Sequence, residues 1–189
     1  MKLSDEEGAT LIALARAAIE DRLRADGALA RFRASLRLTP ALAAPRACFV
    51  TLESRGDAGL TLRGCIGTTE ACHPAHEAVV ASATDAAFSD PRFLPLTREE
   101  YPALVVSVSV LTPASPVLRP EEIVLGRDGV VLTHDGRRAL FLPEVAPKHG
   151  WTRQVLLEEL ARKAGLPAEA WRRAELFTFA SEHFGESSG

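Results

Sequence analysis

The sequence predicts an α+β fold, in which a mainly antiparallel sheet is flanked by helices. Its β-prone runs come in pairs joined by short turns, and helical patterns stand between these pairs rather than after each strand. The chain has 189 residues, 47% of them hydrophobic and 25% charged, which suits a globular domain with a sizeable core. We therefore expect a single domain over 1–189, ordered from about 4 to 184, with a frayed C-terminal tail.

The first helix is predicted from about 4 to 26. Ser4 followed by Glu7 has the spacing of a capping box, and apolar residues then recur at helical intervals as far as Leu23. Gly27 is the expected stop. The proline-containing stretch "LTPALAAPRA" is predicted to be a loop. After it, "CFVTLES" and "GLTLRGCIG" are joined by the turn-like "RGDAG", which predicts a β-hairpin.

An alanine-rich stretch from about 74 to 88 is predicted to be the second helix, because Pro74 suits a first turn. The two prolines of "SDPRFLPLT" then predict a loop. The run "ALVVSVSVL", 103–111, is strongly β-prone. Its alternation gives one fully apolar face and one mixed face, as in an antiparallel sheet with one buried side.

The second half of the chain begins with another predicted hairpin. Asp135-Gly136 between "GVVLTH" and "RRALFLP" is a strong two-residue turn signal. Thr152 is placed to cap a third helix, and Gly165 stands at its expected end. The run "ELFTFAS" is predicted to be the last strand.

Composition argues against several functional classes. The formal net charge is −3, so there is no overall basic field to bind nucleic acid through its phosphates. The start "MKLSDEEGAT" does not resemble an export signal, and no apolar run approaches the roughly 18 residues of a membrane span. Three cysteines are too few for a disulfide framework. We therefore expect a cytoplasmic protein with free thiols and no membrane association.

The stretch "LRGCIGT", 62–68, contains the first candidate site. Strand alternation predicts Arg63 and Cys65 on one face, with Leu62 and Ile66 turned to the core on the other. A cation near a thiol favours the reactive thiolate. Gly64 and Gly67 have no side chains, so a ligand or another backbone could approach closely. The alternative is that Cys65 is a small apolar residue and that the glycines mark a bulge. Pattern alone favours this alternative.

Two further groups of residues have spacings that bear on function. Metal binding by Cys65 with Cys72, His73 and His76 is disfavoured, because adjacent ligands are not a usual zinc spacing, and no metal site is assigned. In the loop "SDPRF", Asp90 and Arg92 could form a functional pair. Their simpler interpretation is an Asx-turn beside a surface arginine. Phosphate-loop, dinucleotide, HExxH and GxSxG patterns do not occur, and the cofactor stays unknown.

Several blocks in order resemble the AMMECR1 domain family, which in bacteria and archaea is called AmmeMemoRadiSam system protein A. The resemblance runs from about Ser4 to Phe184, and "LRGCIGT" is its most specific block. The blocks are "ACFVTL", "LRGCIGT", "DPRF", "SVSVLTP", "LPEVA", "GW", "KAGLP" and a final "W".

The resemblance implies an α+β fold with a larger and a smaller lobe and a groove between them. It also implies a genomic association with a Memo-like protein and a radical SAM protein, but no settled reaction. The family's recurring polar residues correspond here to Arg63, Cys65, Thr68, Asp90 and Arg92. Three positions depart from the family pattern, which has glutamate, glutamine and aspartate where this chain has Ser107, Glu144 and Thr152.

Two functional hypotheses follow, and whether the protein is an enzyme stays open between them. In the first, Cys65 is the catalytic nucleophile or thiol donor of a ligand-binding or enzymatic accessory protein, and a small anionic ligand is held by other side chains. Those substrate-binding candidates are Arg63, Thr68, Asp90, Arg92 and Glu144. In the second, the chain is a non-catalytic partner or scaffold, or a nucleic-acid-associated protein. The acidic balance and the single tyrosine argue against nucleic acid.

Overall fold

A computed structural model describes residues 2–57 and 59–186 of the chain. It divides into two compact units. The first takes the chain up to Val110 together with the segment from Glu182 onward, and the second is Leu111–Ser181. Helices and antiparallel hairpins occur in both, so the predicted α+β class is confirmed. The single domain and the groove between lobes stay predictions.

The first unit combines four helices with a four-stranded sheet of order β2-β1-β3-β8. Its largest core contains side chains from both long helices and from strands β1 and β3. The helices are α1 (Asp5–Arg24), α2 (Ala28–Ser35), α3 (Pro40–Ala43) and α4 (Ala75–Phe88), and the strands are β1 (Ala47–Gly56), β2 (Gly59–Gly67), β3 (Leu104–Leu111) and β8 (Ser181–Gly185).

The capping box predicted for the first helix is present at the start of α1. The Glu7 amide donates to the Ser4 hydroxyl, and the Ser4 amide donates to the Glu7 carboxylate. The helix ends at Arg24 with Ala25 in the left-handed region, and Gly27 instead begins the next helix at φ 75°. That helix, α2, was not predicted, and none of its residues is buried.

Strands β1 and β2 form the predicted antiparallel hairpin. Strand β3 buries Leu104, Val106, Val108 and Val110, the face that alternation predicted to be apolar. The predicted helix over 74–88 is α4, and the stretch between it and β3 is largely loop, as expected. The loop expected before β1 contains α3, which forms one short helical turn.

The second unit contains a sheet of order β4-β7-β5-β6 and two helices. Asp135 and Gly136 both have positive φ, as the predicted two-residue turn requires. The Thr152 hydroxyl accepts from the Val155 amide and caps the predicted helix. The elements are β4 (Ser115–Val117), β5 (Gly129–His134), β6 (Arg137–Phe141), α5 (Val145–His149), α6 (Arg153–Lys163) and β7 (Glu175–Phe179).

The C-terminal segment differs from its prediction. A frayed tail was expected after the last predicted strand, but Ser181–Gly185 forms β8, and the part of the tail beyond 186 lies outside the described residues. Phe184 packs over Gly8 of α1, where an added Cβ would lie 2.0 Å from its ring. Contacts to the start of the chain therefore order a segment that has little hydrophobic pattern of its own.

Across residues 2–57 and 59–186, the helices are too short or too polar for any of them to cross a membrane.

Candidate functional site

Strand β2, which carries the "LRGCIGT" stretch, contains an irregularity at Arg63. Its pairing with β1 passes from Leu52↔Gly64 to Glu53↔Leu62, so Arg63 is the extra residue of a β-bulge. The bulge interrupts the alternation that placed Leu62 in the core. Leu62 is 45% exposed, so that prediction is wrong, whereas Ile66 packs against the core as expected.

The glycines of this stretch allow two backbones to approach β2. A Cβ added at Gly64 would lie 2.2 Å from the Ala86 carbonyl oxygen of α4. One added at Gly67 would lie 2.2 Å from the Cys48 carbonyl oxygen of β1. Both distances are far below a van der Waals contact, so each position accepts only glycine at this spacing. Another backbone therefore approaches both glycines, and a bulge lies beside Gly64 as well, so features of both interpretations of this stretch are present.

Asp90 and Arg92 hold the backbone of Cys65. The Cys65 amide donates to Oδ2 of Asp90 at 2.9 Å, and the Cys65 carbonyl accepts from Nη2 of Arg92 at 3.2 Å. The same two side chains are joined by a two-point ion pair, with Nε–Oδ1 at 2.9 Å and Nη2–Oδ2 at 2.6 Å. The Arg92 amide also donates to Asp90, so the predicted Asx-turn exists within this larger arrangement.

These contacts lie on the free side of β2, which is the outer strand of its sheet. The Thr68 amide donates to the Cys48 carbonyl of β1, so the backbone groups of Cys65, three residues earlier, point away from β1. On this free side, Asp90 accepts from the Cys65 amide and Arg92 donates to the Cys65 carbonyl. It therefore takes the place that a neighbouring strand would occupy beside Cys65.

The two partners of this ion pair differ in exposure. The Asp90 side chain is 2% exposed and that of Arg92 is 53% exposed, so solvent meets the cation rather than the anion. The hydrogen bond from Arg92, aided by those from the Cys65 and Arg92 amides, holds the pKa of Asp90 well below its ordinary value against the effect of burial. The same hydrogen bond raises the pKa of Arg92. Both groups are charged at neutral pH.

The Cys65 thiol is half-buried, and its Sγ lies 3.2 Å from the Thr51 hydroxyl on the paired strand. A threonine hydroxyl is not a base near neutral pH, so this contact does not activate the thiol. The other two cysteines have different surroundings. Cys48 is buried, which raises its pKa to about 11, whereas Cys72 is exposed with its Sγ 3.8 Å from the Glu70 carboxylate.

Arg63 makes a second ion pair beside the first. Its Nε and Nη2 donate to the two oxygens of Glu100 at 2.7 and 3.1 Å, and Nη2 also donates to the Leu94 carbonyl. The Arg63 side chain is 13% exposed. Its Nη1 is buried without a hydrogen-bond partner among the described residues. The hydrogen bond from Arg63 lowers the pKa of Glu100 from 4.5 to about 2.

One aromatic ring connects the two arginines. The Cζ of Arg63 lies 5.7 Å from the centroid of Phe93, and the Cζ of Arg92 lies 5.5 Å from it. Both distances are in the range of a cation–π contact. Glu100 and Phe93 were missed as site residues. Phe93 follows Arg92 directly in the "DPRF" block, but Glu100 is 37 positions from Arg63 and no spacing rule connects them.

The structure thus brings together four of the six predicted site residues: Arg63, Cys65, Asp90 and Arg92. Thr68 follows β2, but its hydroxyl accepts from the Glu70 amide and donates to the Glu70 carbonyl, so it shapes a turn. Glu144 is exposed at the start of α5 in the second unit, where its carbonyl accepts from the Lys148 amide.

Cys65, Cys72, His73 and His76 do not form a group of metal ligands. Nδ1 of His76 lies 3.0 Å from the Leu42 carbonyl, and the His73 carbonyl accepts from the Arg46 amide. Within residues 2–57 and 59–186, no three or more histidine, cysteine, aspartate or glutamate side chains are placed to hold a metal ion.

Nearly the whole chain is similar to known proteins of one family. The AMMECR1 family model matches residues 12–184. A protein of Thermofilum pendens is 39% identical over 99% of this chain and 93% of its own, and one of Methanothermobacter thermautotrophicus is 38% identical over 97% and 96%. The crystal structure of the uncharacterised protein PH0010 from Pyrococcus horikoshii superimposes with a TM-score of 0.78 at 34% identity, covering 99% of this chain and 95% of that one. The chain belongs to the AMMECR1 family.

Proposed function

We propose that the chain binds an anionic group of its ligand beside the Cys65 thiol, with Arg92 as the exposed cation, and that it acts as an accessory protein in a modification pathway. The observation that carries the proposal is the exposure of Arg92 while a buried Asp90 fixes its position. An arginine that is already ordered loses little conformational entropy on binding, which favours recognition of a carboxylate or phosphate.

The contacts of Arg92 support this role because they use only part of its guanidinium group. Within the described residues, Nε and Nη2 serve Asp90 and the Cys65 carbonyl, which leaves Nη1 for a ligand. Arg63 makes the same use of its Nε and Nη2, with a buried Nη1. Since Arg63 is mostly buried, it supports the site electrostatically, and Arg92 makes the direct contact.

Alkylation of Cys65 by two reagents of equal reach tests the proposal. Iodoacetate is an anion and iodoacetamide is neutral, so a cation beside the thiol raises the iodoacetate rate relative to the iodoacetamide rate. We expect a relative preference of up to about fivefold over an unstructured thiol, since a contact between exposed opposite charges contributes at most about 1 kcal/mol. Mass spectrometry resolves the three cysteines in one sample, and Cys72 beside the Glu70 carboxylate should show the reverse preference.

Arg92→Gln removes the cation and should abolish the preference at Cys65 without changing it at Cys72. Arg98→Gln is the matched control, because Arg98 is exposed in the same loop region and donates to the Leu23 carbonyl instead. Inorganic phosphate should slow Cys65 alkylation in the unmodified protein, which tests anion binding without any substitution. An iodoacetate preference that survives in Arg92→Gln, or equal rates with the two reagents, would contradict the proposal.

The second candidate is a cysteine-dependent enzyme with Cys65 as nucleophile or thiol donor. It is favoured by a half-buried thiol on a residue whose carbonyl accepts from Arg92, and it is weakened by the hydroxyl partner of that thiol, Thr51. Cys65→Ser separates the candidates, because it should leave anion binding intact and abolish only a reaction that needs the thiol.

The partners proposed from the family resemblance are a Memo-like protein and a radical SAM protein. Co-purification with the two neighbouring gene products tests this association directly. If the chain is a scaffold that needs no ligand, the Arg92→Gln variant should keep both partners and the activity of the complex. If it is a ligand-dependent accessory protein, the Arg92→Gln variant should lower the activity of the complex. A nucleic-acid role predicts a gel shift that weakens with salt.

A further inference from the structure

Three exposed leucines stand close in the chain to the two arginines of the candidate site. Leu60 and Leu62 precede Arg63 on β2, and Leu94, which follows Phe93, is 84% exposed. We call Leu60, Leu62 and Leu94 the leucine patch. Leu60 and Leu62 lie two residues apart on one strand, and exposed apolar side chains that neighbour each other often mark a surface that another molecule covers.

The backbone places the leucine patch beside the arginines. Leu60 pairs with Arg55 and Leu62 with Glu53 in unbroken register, so the two leucines share one face of the hairpin. The bulge at Arg63 is what turns Leu62 outward instead of into the core. The Leu94 carbonyl accepts from Nη2 of Arg63 at 2.9 Å, which fixes the loop carrying Leu94 against the residue that follows Leu62.

We propose that the ligand at this site is a polypeptide segment of a partner protein, carrying a carboxylate flanked by apolar side chains. The inference rests on the proposed function, because the carboxylate is the anionic group assigned to Arg92. Charge complementarity favours a ligand of this kind, because the surface presents the exposed cation of Arg92, held by the buried Asp90, together with exposed leucines. An acidic residue between apolar neighbours complements both features.

The exposure of these side chains distinguishes this ligand from a small metabolite. Small-molecule sites enclose most of their ligand, whereas Arg92 and Leu94 project into solvent. Protein interfaces are instead enriched in arginine and aromatic residues, with an apolar centre, and Arg92 lies over Phe93 near the leucine patch.

A second copy of the chain fits the patch less well than an acidic segment does. A twofold dimer through this patch would bring the same surface of each copy together. Arg92 would then approach the equivalent cation across the axis, which is unfavourable without an intervening anion.

Selection from a phage-displayed library of random peptides on the unmodified protein tests this inference. We expect enriched peptides with an acidic residue beside leucine, isoleucine or phenylalanine. Leu62→Ser and Leu94→Ser should each weaken a selected peptide by about fivefold, as for a modest interface contact. Leu118→Ser is the control, since Leu118 is an exposed leucine of the second unit and should leave binding unchanged. Arg92→Gln should remove the preference for the acidic residue.

Exposed leucine-to-serine changes rarely alter stability by more than about 0.5 kcal/mol, so loss of binding will not reflect unfolding. No enriched peptide, enriched peptides without an acidic residue, or binding that survives both patch substitutions would each overturn the inference. Dimerisation that depends on Leu62 and Leu94, seen by sedimentation, would also overturn it in favour of a second copy. If iodoacetate preference at Cys65 persists while peptide selection fails, only this inference falls and the proposed anion site stands.

Discussion

Asp90 belongs to the candidate site although its carboxylate does not reach solvent. Its carboxylate is buried and all its described contacts go to the Cys65 amide and to Arg92. It therefore acts by positioning the strand and the exposed guanidinium. A substrate-binding role, which the sequence suggested for Asp90, fits its neighbour Arg92 better, because the arginine reaches solvent.

Much of the candidate site could be predicted from the sequence, because its main residues lie in two short stretches of the chain. Arg63 and Cys65 stand two apart on one strand, and Asp90 and Arg92 stand two apart in one loop. The partners that come from elsewhere could not be predicted. Glu100 reaches Arg63 only after α4 and the following loop have folded back onto β2, and the outward turn of Leu62 depends on a bulge that alternation does not reveal.

Gly64 should tolerate no side chain. In Gly64→Ala the new Cβ would meet the Ala86 carbonyl oxygen of α4, a backbone atom that cannot rotate away. We expect a loss of about 1–3 kcal/mol in the free energy of unfolding, measured by urea denaturation. Gly56→Ala, in the same hairpin, has nothing within 4 Å of its added Cβ and should change stability by less than about 0.5 kcal/mol. Equal stability of the two variants would contradict the close packing of α4 on β2.

Glu100 should contribute stability that depends on pH. Its pKa in the folded protein is lowered from 4.5 to about 2 by Arg63, so its contribution is complete above pH 4.5 and is lost as the pH falls toward 2. The unmodified protein should therefore exceed Glu100→Gln in stability near neutral pH, by no more than about 1 kcal/mol because Glu100 is partly exposed. The difference should shrink in acid. Urea denaturation at a series of pH values measures it, and a difference that stays constant from about pH 6 to about pH 3 would contradict the ion pair.

At the scale of elements, the hairpins and capped helices were predicted because their signals are local. Asp135-Gly136 alone determines a two-residue turn, and Ser4 with Glu7 or Thr152 alone marks a helix start. Helix α2 escaped prediction because it is only eight residues long and its apolar residues, Leu29 and Phe32, are only partly buried against the core. Strand β8 escaped because Phe184 is the single large apolar residue in "SEHFG".

At the scale of the whole molecule, the end of the chain stabilises its beginning. Glu186 accepts two hydrogen bonds from Arg16 of α1, each at 2.7 Å, and another from the Val106 amide of β3 at 2.8 Å. Arg16 also bonds the Leu104 carbonyl. One carboxylate near the C-terminus thus joins the first helix to the sheet.

Glu186→Ala should loosen this junction. We expect a loss of about 1–3 kcal/mol, since charged hydrogen bonds are removed from a half-buried pair, and at least tenfold faster hydrogen exchange at the Val106 amide. Mass spectrometry or NMR measures the exchange. Glu169→Ala, at an exposed position of the second unit, is the control and should leave Val106 unaffected. Unchanged exchange at Val106 in Glu186→Ala would contradict the contact.

The placement of Asp90 and Arg92 on the outer side of β2 also bears on the solubility of the protein. An outer strand with open amide and carbonyl groups is a template on which other chains can add strands and form aggregates. At Cys65 both groups are already engaged, the amide by a carboxylate and the carbonyl by a guanidinium. The ion pair therefore removes two of the backbone groups through which another chain could add a strand to this edge, whether or not a ligand binds Arg92.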